Sequence, residues 1–338
     1  DFQDFLADVH IKMQFQDSRS NEYRYRLLEV VKSRAQASHR GCHVVSIAHD
    51  QGLSVYPSSS AVISSQRRQV ARSSHYRKAS INVGIPGFAD CLASGYEDGN
   101  VAWWRSGSIT ALIGERGAMK YTFGEQWLSQ FAVKQTRPGS ALALHFGDEF
   151  PPMGFAIKRQ HQRSFGWGER YEVSPDQFGG SSCGIDYVLL QSGYVAPGFV
   201  LQSIQSLIAE RKKAQAPFRR AVISDLGNVN SSFPALLDDA AFLPALTEIL
   251  TSEGITTLLV YSISQTAKSE SVLNQVLSIS ENIIRLRPVQ HAGHLLTAIW
   301  VERSASSLHN RGTYELRRIA NYSQSFGKST GTSSLLEI

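Results

Sequence analysis

Two kinds of hydrophobic pattern divide the chain. Within residues 5–47, and again within residues 281–319, apolar and polar residues alternate in short runs that polar turns separate. Alternation with a period of two is typical of strands that bury one face. We therefore predict a β-hairpin followed by a returning strand in both segments, which we interpret as an internal repeat.

Longer apolar runs follow after residue 80. Runs such as SITALI, SALALHF, RAVISDL and ITTLLVYSI alternate with amphipathic stretches such as TFGEQWLSQFAV and VLQSIQSLIAERKKA. Buried strands that alternate with helices are typical of a mostly parallel, twisted sheet with helices on its faces. The pattern predicts an α/β domain over residues 81–320, with the second repeat as its C-terminal β-hairpin.

The remaining segments lack both patterns. Residues 51–80 are serine-rich and basic, so we interpret them as a linker. Residues 321–338 are rich in serine, glycine and threonine, which predicts a flexible tail. Because residues 1–50 contain the first repeat, we interpret them as the closing strands of another copy of the α/β domain.

Composition indicates a globular protein. The 338 residues are 42% hydrophobic and 19% charged, which suits a domain with a sizeable core. No apolar run approaches the roughly 18 residues of a membrane span, and no signal-peptide pattern is visible. Three scattered cysteines suit reduced thiols, so we expect a cytoplasmic protein without a membrane partner. The net charge of +5 is too small to indicate nucleic acid by itself.

Residues 114–122, GERGAMKYT, form a candidate phosphate-binding loop between an apolar run and a helical pattern. Such a P-loop has the sequence G-x-x-x-x-G-K-[ST]. Its glycines let backbone N–H groups surround phosphate, and its lysine neutralises the phosphates. Gly114, Gly117 and Lys120 stand where this chemistry needs them. The alternative is a glycine-rich turn between a strand and a helix, with a solvated lysine.

Two positions of the loop depart from the motif. Met119 replaces the second glycine and adds a side chain where the backbone should approach phosphate. Tyr121 replaces the short hydroxyl residue that ligates Mg²⁺. Thr122 lies one residue late, about 100° further round the helix.

The residues upstream of this loop carry a family resemblance. Residues 84–99, GIPGFADCLASGYEDG, and residues 107–114, GSITALIG, resemble the segments that precede the P-loop in the KaiC-like branch of the RecA superfamily. The resemblance covers nearly the whole chain in the same order of elements. It implies a RecA-like P-loop NTPase fold, ATP with Mg²⁺ as cofactor, six-membered rings with nucleotide between protomers, and a preceding KaiC-like domain that ends within residues 1–50. The matching residues are Gly84, Pro86, Gly87, Leu92, Gly95, Gly107, Ser108 and Gly114.

The acidic motifs of the family are displaced in this chain. RAVISDLGNV resembles the Walker B strand, but Ser224 takes the place of the metal-ordering aspartate and Asp225 follows it. Because side chains alternate along a strand, Asp225 points the other way unless the strand end bends. The catalytic carboxylates of the family correspond to Asp148 and Glu149 as candidates to orient water, although Gly147 takes the first position.

The resemblance also implies residues that act on the nucleotide of a neighbouring protomer. A lysine and an arginine of a K-x-R-G loop do this in the family, and Lys32 and Arg34 match them in the first repeat. Glu302 and Ser304 take those places in the second repeat. The 81–320 domain thus departs from the family on both halves of its composite site, which indicates relaxed selection on ATP hydrolysis.

We therefore predict a degenerate ATPase domain that forms a ring and binds a protein partner, with weak or no ATP hydrolysis. A second hypothesis is an active ATPase, one form of which phosphorylates its own Ser278 or Ser280. A third is a RecA-like ring that binds nucleic acid through the basic residues between 67 and 78. The nucleotide contacts of the active form would be Gly114, Gly117, Lys120, Tyr121, Thr122, Lys32 and Arg34, its metal ligands Thr122 and Asp225, and its water-orienting carboxylates Asp148 and Glu149.

Overall fold

The computed structural model describes residues 7–17, 24–34, 36–38, 41–48, 52–70, 80–92, 103–134, 140–147, 162–165, 168–173, 185–190, 195–233, 235–236, 239–263, 267–305, 309–318 and 336–337. No helix within these ranges is long and apolar enough to cross a bilayer.

Four strands near the N-terminus form an antiparallel sheet in chain order. They are β1 (Val9–Asp17), β2 (Arg24–Ser33), β3 (Cys42–Ala48) and β4 (Gly52–Tyr56). A separate two-stranded sheet pairs β5 (Ser80–Asn82) with β6 (Trp103–Arg105).

The remaining strands build a larger sheet whose order is β17-β16-β15-β14-β7-β13-β12-β8-β11-β10-β9. The six from β14 to β11 in this order are mutually parallel, and the flanking ones pair antiparallel. The strands are β7 (Ile109–Gly114), β8 (Ser140–Phe146), β9 (Gln162–Phe165), β10 (Gly168–Val173), β11 (Ile185–Leu190), β12 (Phe218–Ser224), β13 (Thr256–Ser262), β14 (Asn282–His291), β15 (His294–Arg303), β16 (Tyr314–Arg318) and β17 (Leu336–Glu337).

Helices flank this sheet, so the prediction of an α/β fold with a mostly parallel sheet is confirmed. The five adjacent strands β7, β13, β12, β8 and β11 are buried along nearly their whole length, as expected when helices cover both faces. The helices are α1 (Ser59–Val70), α2 (Phe88–Cys91), α3 (Lys120–Lys134), α4 (Pro197–Lys213), α5 (Val229–Ser232), α6 (Phe242–Ser252) and α7 (Ala267–Ile279).

From β7 the chain first adds strands toward one edge of the sheet, and it later returns to add β14 on the other side of β7. β7 is between β14 and β13, whereas β8, the next parallel strand in the chain, lies beyond β13 and β12. Right-handed crossovers put helices on opposite faces for the two directions of travel. Accordingly, α3 belongs to one core cluster and α4, α6 and α7 to the other. Ligands of such sheets bind beyond the carboxyl ends of strands at switch points of this kind, which here is the loop after Gly114.

Both repeated segments form a hairpin with a returning strand, as the sequence predicts. β1, β2 and β3 pair antiparallel in the first, and β14, β15 and β16 in the second. Each hairpin has a register shift near the same end, at His10/Ile11 and at Ile283/Ile284. Ala292 and Gly293 close the second hairpin with φ of 48° and 78°, the backbone that a two-residue hairpin turn needs.

Part of the predicted linker is regular structure. Residues 52–56 form β4 and residues 59–70 form α1, in which Ala61 and Val62 are buried. The serine-rich composition is typical of linkers, and the helix was therefore not predicted. Serine is nevertheless tolerated in a helix when its hydroxyl donates to the helix backbone, as that of Ser64 does to the carbonyl oxygen of Ser60. Residues 71–79 lie outside the described residues.

Most of the predicted flexible tail also lies outside the described residues. The exception is β17, whose Leu336 and Glu337 pair with Arg318 and Arg317 at the edge of the large sheet.

We predict that Gly198→Ala destabilises the contact between the N-terminal sheet and the α/β core. Gly198, in the first turn of α4, lies against the strand-to-helix junction, and a Cβ there would lie 2.1 Å from the carbonyl oxygen of Pro57. Overpacking of this kind costs roughly 1–3 kcal/mol. Urea denaturation should show this loss, whereas Gly124→Ala in α3, with its nearest neighbour at 3.4 Å, should be neutral or stabilising. Equal midpoints for the wild type and Gly198→Ala would refute the close contact.

Candidate functional site

The loop between β7 and α3 keeps the backbone of a glycine-rich turn. Gly117 has φ of 81° and Met119 has φ of 52°, so both are left-handed. For a residue other than glycine this conformation costs about 1–2 kcal/mol. The Met119 side chain is half-buried and packs against the core cluster that includes α3. Met119 thus adopts a glycine-like backbone, and its packing offsets part of that strain.

Lys120 is the first residue of α3 and is almost completely buried, with 2% of its surface exposed. Its ammonium group donates a hydrogen bond to the carbonyl oxygen of Glu115 across the loop. Burial lowers the pKa of Lys120 to about 8, although Asp225 opposes the shift. The lysine is therefore not the solvated side chain of the alternative interpretation.

Gly114 is needed where β7 ends. A Cβ at this position would lie 2.7 Å from the carbonyl oxygen of Leu286 on β14 and 3.3 Å from Cδ of Lys120. The glycine therefore allows the close approach of β14 and of the lysine stem. On the outer side of the loop, Glu115 forms an ion pair with Arg287 of β14 at 3.5 Å.

Asp225 turns into this site because the chain bends directly after β12. Its backbone is left-handed, with φ of 59° and ψ of 31°. The hydroxyl of Tyr121 donates a hydrogen bond to Oδ1 of Asp225. Burial raises the pKa of Asp225 to about 6, while Lys120 and Arg116 oppose the shift. From the sequence, Asp225 could reach this site only if the end of β12 bends, and the structure has this bend.

His145 belongs to the same cluster, although the sequence analysis did not identify it. It lies at the carboxyl end of β8, where it is in register with Ser224 of β12. Its Nε2 is 2.9 Å from Oδ2 of Asp225, and its Nδ1 is 2.7 Å from the hydroxyl oxygen of Ser224. These contacts fit an imidazole that donates to Asp225 and accepts from Ser224. A Cβ at Gly147 would lie 3.0 Å from Nε2, so this glycine leaves room for the ring.

The arrangement around Asp225 does not fit the predicted Mg²⁺ site. Magnesium needs oxygen ligands in near-ideal octahedral geometry. Here Oδ1 of Asp225 accepts from Tyr121 and Oδ2 faces His145, so both carboxylate oxygens have partners. Thr122, the other predicted ligand, is half-buried in the next position of α3. Within the described residues, no group of three or more histidine, cysteine, aspartate or glutamate side chains could hold a metal.

The other predicted site residues do not join this cluster. Asp148 and Glu149 lie outside the described residues. Lys32 is in β2 and Arg34 follows that strand, so both belong to the N-terminal sheet rather than to the sheet of Lys120. Arg34 lies 3.8 Å from Asp8 as an exposed ion pair. Their role at the nucleotide of a neighbouring protomer stays a prediction.

The corresponding residues of the second repeat have structural contacts. Glu302 forms an ion pair with Arg285 across the hairpin of β14 and β15. The hydroxyl of Ser304 lies 3.3 Å from the side-chain oxygen of Asn282. Arg303 donates to the carbonyl oxygen of Leu277 at 2.7 Å, at the end of α7, where a positive charge is favourable.

No protein-family model matches the chain, and no curated protein is significantly similar to it. The resemblance to the KaiC-like branch therefore stays an interpretation of the motifs.

We predict that Lys120→Met stabilises the fold at pH 7. Because the pKa of Lys120 falls from 10.5 to about 8 on folding, the unfolded chain binds more protons between these values. The wild type should therefore gain stability as the pH rises through this window. Removing the buried charge should add roughly 1–3 kcal/mol at pH 7, since a pKa unit corresponds to about 1.4 kcal/mol. The gain should shrink as the pH rises from 8 to 10.5, because the folded lysine is then neutral and the unfolded chain progressively loses the same proton.

Denaturation midpoints at pH 7 and pH 10.5 measure this difference. Lys213→Met is the matched control, because Lys213 is exposed in the last turn of α4. A Lys120→Met variant that is less stable than the wild type at pH 7 would contradict a burial penalty at this site.

Proposed function

We propose that residues 81–320 form a degenerate ATPase domain of the KaiC-like type, which acts as a ring-forming and partner-binding module with weak or no ATP hydrolysis. The observation that carries the proposal is the hydrogen bond from Tyr121 to Asp225. It joins the residue that replaces the metal-binding hydroxyl to the one acidic residue of the Walker B-like strand end. The contact engages the carboxylate of Asp225 with a side chain that is not a metal ligand, which supports an altered metal site.

The position of the loop supports descent from a nucleotide site. The loop follows a buried central strand, lies at a switch point of a mostly parallel sheet and leads into a long helix. Backbone N–H groups at such a helix start favour anions. Lys120 beside it is almost completely buried, and its ammonium group donates to the carbonyl oxygen of Glu115 in the loop. These features are those expected of a nucleotide site that keeps its backbone arrangement while its metal-binding residues have changed.

The same observations favour one alternative, a domain that still binds nucleotide. Gly117, Met119 and Lys120 keep the backbone and the charge that a phosphate group would need. In that case the phosphates would contact the loop and Lys120 without a metal at Asp225. Ring formation and the protein partner rest on the family resemblance alone.

We predict that ATP hydrolysis by the purified chain with Mg²⁺ equals that of the Lys120→Ala variant. Steady-state release of phosphate measures this, and calorimetric titration with ATP reports binding separately. Binding that depends on Lys120 without turnover would select the nucleotide-binding form of the proposal. Robust turnover that Lys120→Ala abolishes would contradict it and favour an active ATPase.

A second prediction concerns how strongly ATP binding depends on Mg²⁺. The double substitution Met119→Gly, Tyr121→Thr changes the loop to GERGAGKT, which satisfies the whole P-loop pattern. This variant should bind ATP at least about tenfold more tightly with Mg²⁺ than with EDTA, or ~1.4 kcal/mol, because the Tyr121 hydroxyl no longer holds Asp225. The wild type should bind equally in both. Tyr121→Phe is the control, since it removes the contact without supplying a ligand. Mg²⁺-dependent binding by the wild type would refute the altered metal site.

A further inference from the structure

A cavity of about 490 Å³ lies between the N-terminal sheet and the α/β core. Residues 54–56 of β4 line it from the sheet, and one stripe of α4 from Phe199 to Glu210 lines it from the core. Sites for small molecules have volumes of roughly 300–1,000 Å³ and often lie where two structural units meet. Because α4 and α3 belong to different core clusters, the cavity is on the opposite face of the large sheet from the Lys120 loop.

One part of the cavity lining is aromatic and aliphatic. The rings of Tyr56 and Phe199 are half-buried, with centroids 4.8 Å apart and planes tilted by 46°. The buried side chains of Val188 and Leu207 also line the cavity and belong to the core cluster of α4. Aromatic side chains attract a further ring in a tilted or offset arrangement. This part of the lining therefore suits the aromatic ring of a ligand.

The polar part of the lining contains a buried guanidinium group. Arg170 of β10 is 5% exposed, and its Nη2 donates to Oδ2 of Asp186 at 3.2 Å. Its Nη1 lies 3.1 Å from each carboxylate oxygen of Glu210. Asp186 is completely buried and also accepts a hydrogen bond from Nε of Arg211 at 2.6 Å. Two arginines thus share one buried carboxylate, and Glu210 balances the positive charge that remains.

Glu210 is the member of this group that can leave. Its side chain is 52% exposed, whereas the side chains of Arg170 and Asp186 are 6% and 0% exposed. Release of Glu210 costs little, because water solvates a half-exposed carboxylate well. Arg170 stays buried after that release, so a second carboxylate in the same place is favourable. The position of Glu210 therefore shows where the carboxylate of a ligand would bind.

We propose that the cavity binds a small aromatic carboxylate, whose carboxylate replaces that of Glu210 at Arg170 and whose ring lies against Tyr56 and Phe199. Phe199 and Glu210 are three turns of α4 apart, roughly 16 Å along the helix axis, so the ligand needs a chain between its ring and its carboxylate. The inference does not rest on the state of the Lys120 loop, which lies on the other face of the sheet.

Calorimetric titration with phenylbutyrate tests the proposal. Glu210→Gln should bind it at least about fivefold more tightly than the wild type, because the competing carboxylate is gone and more of the protein is in the binding-competent form. Glu253→Gln is the matched control. It removes a carboxylate that pairs with Lys212 of the same helix but does not line the cavity, so its affinity should equal that of the wild type.

Two further variants should abolish the binding of phenylbutyrate. Arg170→Met removes the guanidinium group, but it also leaves Asp186 with fewer partners inside the protein. Ser203→Leu keeps the whole ion-pair group and fills the cavity from α4, so it tests the same site without that loss. Thermal unfolding followed by circular dichroism checks that each variant is folded.

Three results would overturn the proposal. The first is a Glu210→Gln variant that does not bind phenylbutyrate, and the second is equal affinity of this variant for phenylbutyrate and its neutral amide. The third is tighter binding of phenylbutylamine than of phenylbutyrate to the wild type, because Glu210 would then hold a cation. Lys120→Ala should leave the affinity unchanged, and a loss of binding would place the acid at the Lys120 loop instead.

Discussion

The fold and the candidate site both depend on the burial of β7 between two parallel neighbours. All six residues of the strand are buried, and β13 and β14 pair with it along nearly its whole length. This pairing fixes Gly114 beneath the carbonyl of Leu286 and leaves the next five residues to turn into α3. The loop cannot move far without breaking the middle of the sheet. Its left-handed residues and its buried lysine are therefore held in place by the core.

Around this loop, polar side chains contact one another. The hydroxyl of Tyr121 donates to Asp225, whose other oxygen faces His145, and the ring of His145 reaches Ser224. The ends of two strands, β8 and β12, and the start of α3 supply these groups. Burial shifts the pKa of Lys120 down and that of Asp225 up, so both charged forms are disfavoured. Packing alone would favour apolar residues at these positions, so the arrangement costs stability.

Much of the fold could be predicted from the sequence, because periodicity reports which faces are buried. The alternating segments became hairpins, and the apolar runs became parallel strands. The helix α1 could not be predicted, since Ser64 and its neighbours suggest a linker and the buried residues described there, Ser59, Ala61 and Val62, all lie in its first turn. His145 was missed because a single polar residue at the end of an apolar run has no local signal. Its partner Ser224 lies 79 residues further along the chain.

The orientation of Asp225, which lies one position later than the aspartate of the Walker B strand, was also beyond prediction from the sequence. Alternation along β12 predicts that Ser224 and Asp225 point to opposite faces, and the outcome depends on one backbone angle. The left-handed φ of 59° at Asp225 turns its carboxylate toward Tyr121. A crystal structure of the protein grown with ATP and Mg²⁺ tests the account most directly. The account predicts that Tyr121 still donates to Asp225 and that no metal lies between Thr122 and Asp225. An octahedral Mg²⁺ bound to Asp225, with Tyr121 turned away, would contradict it.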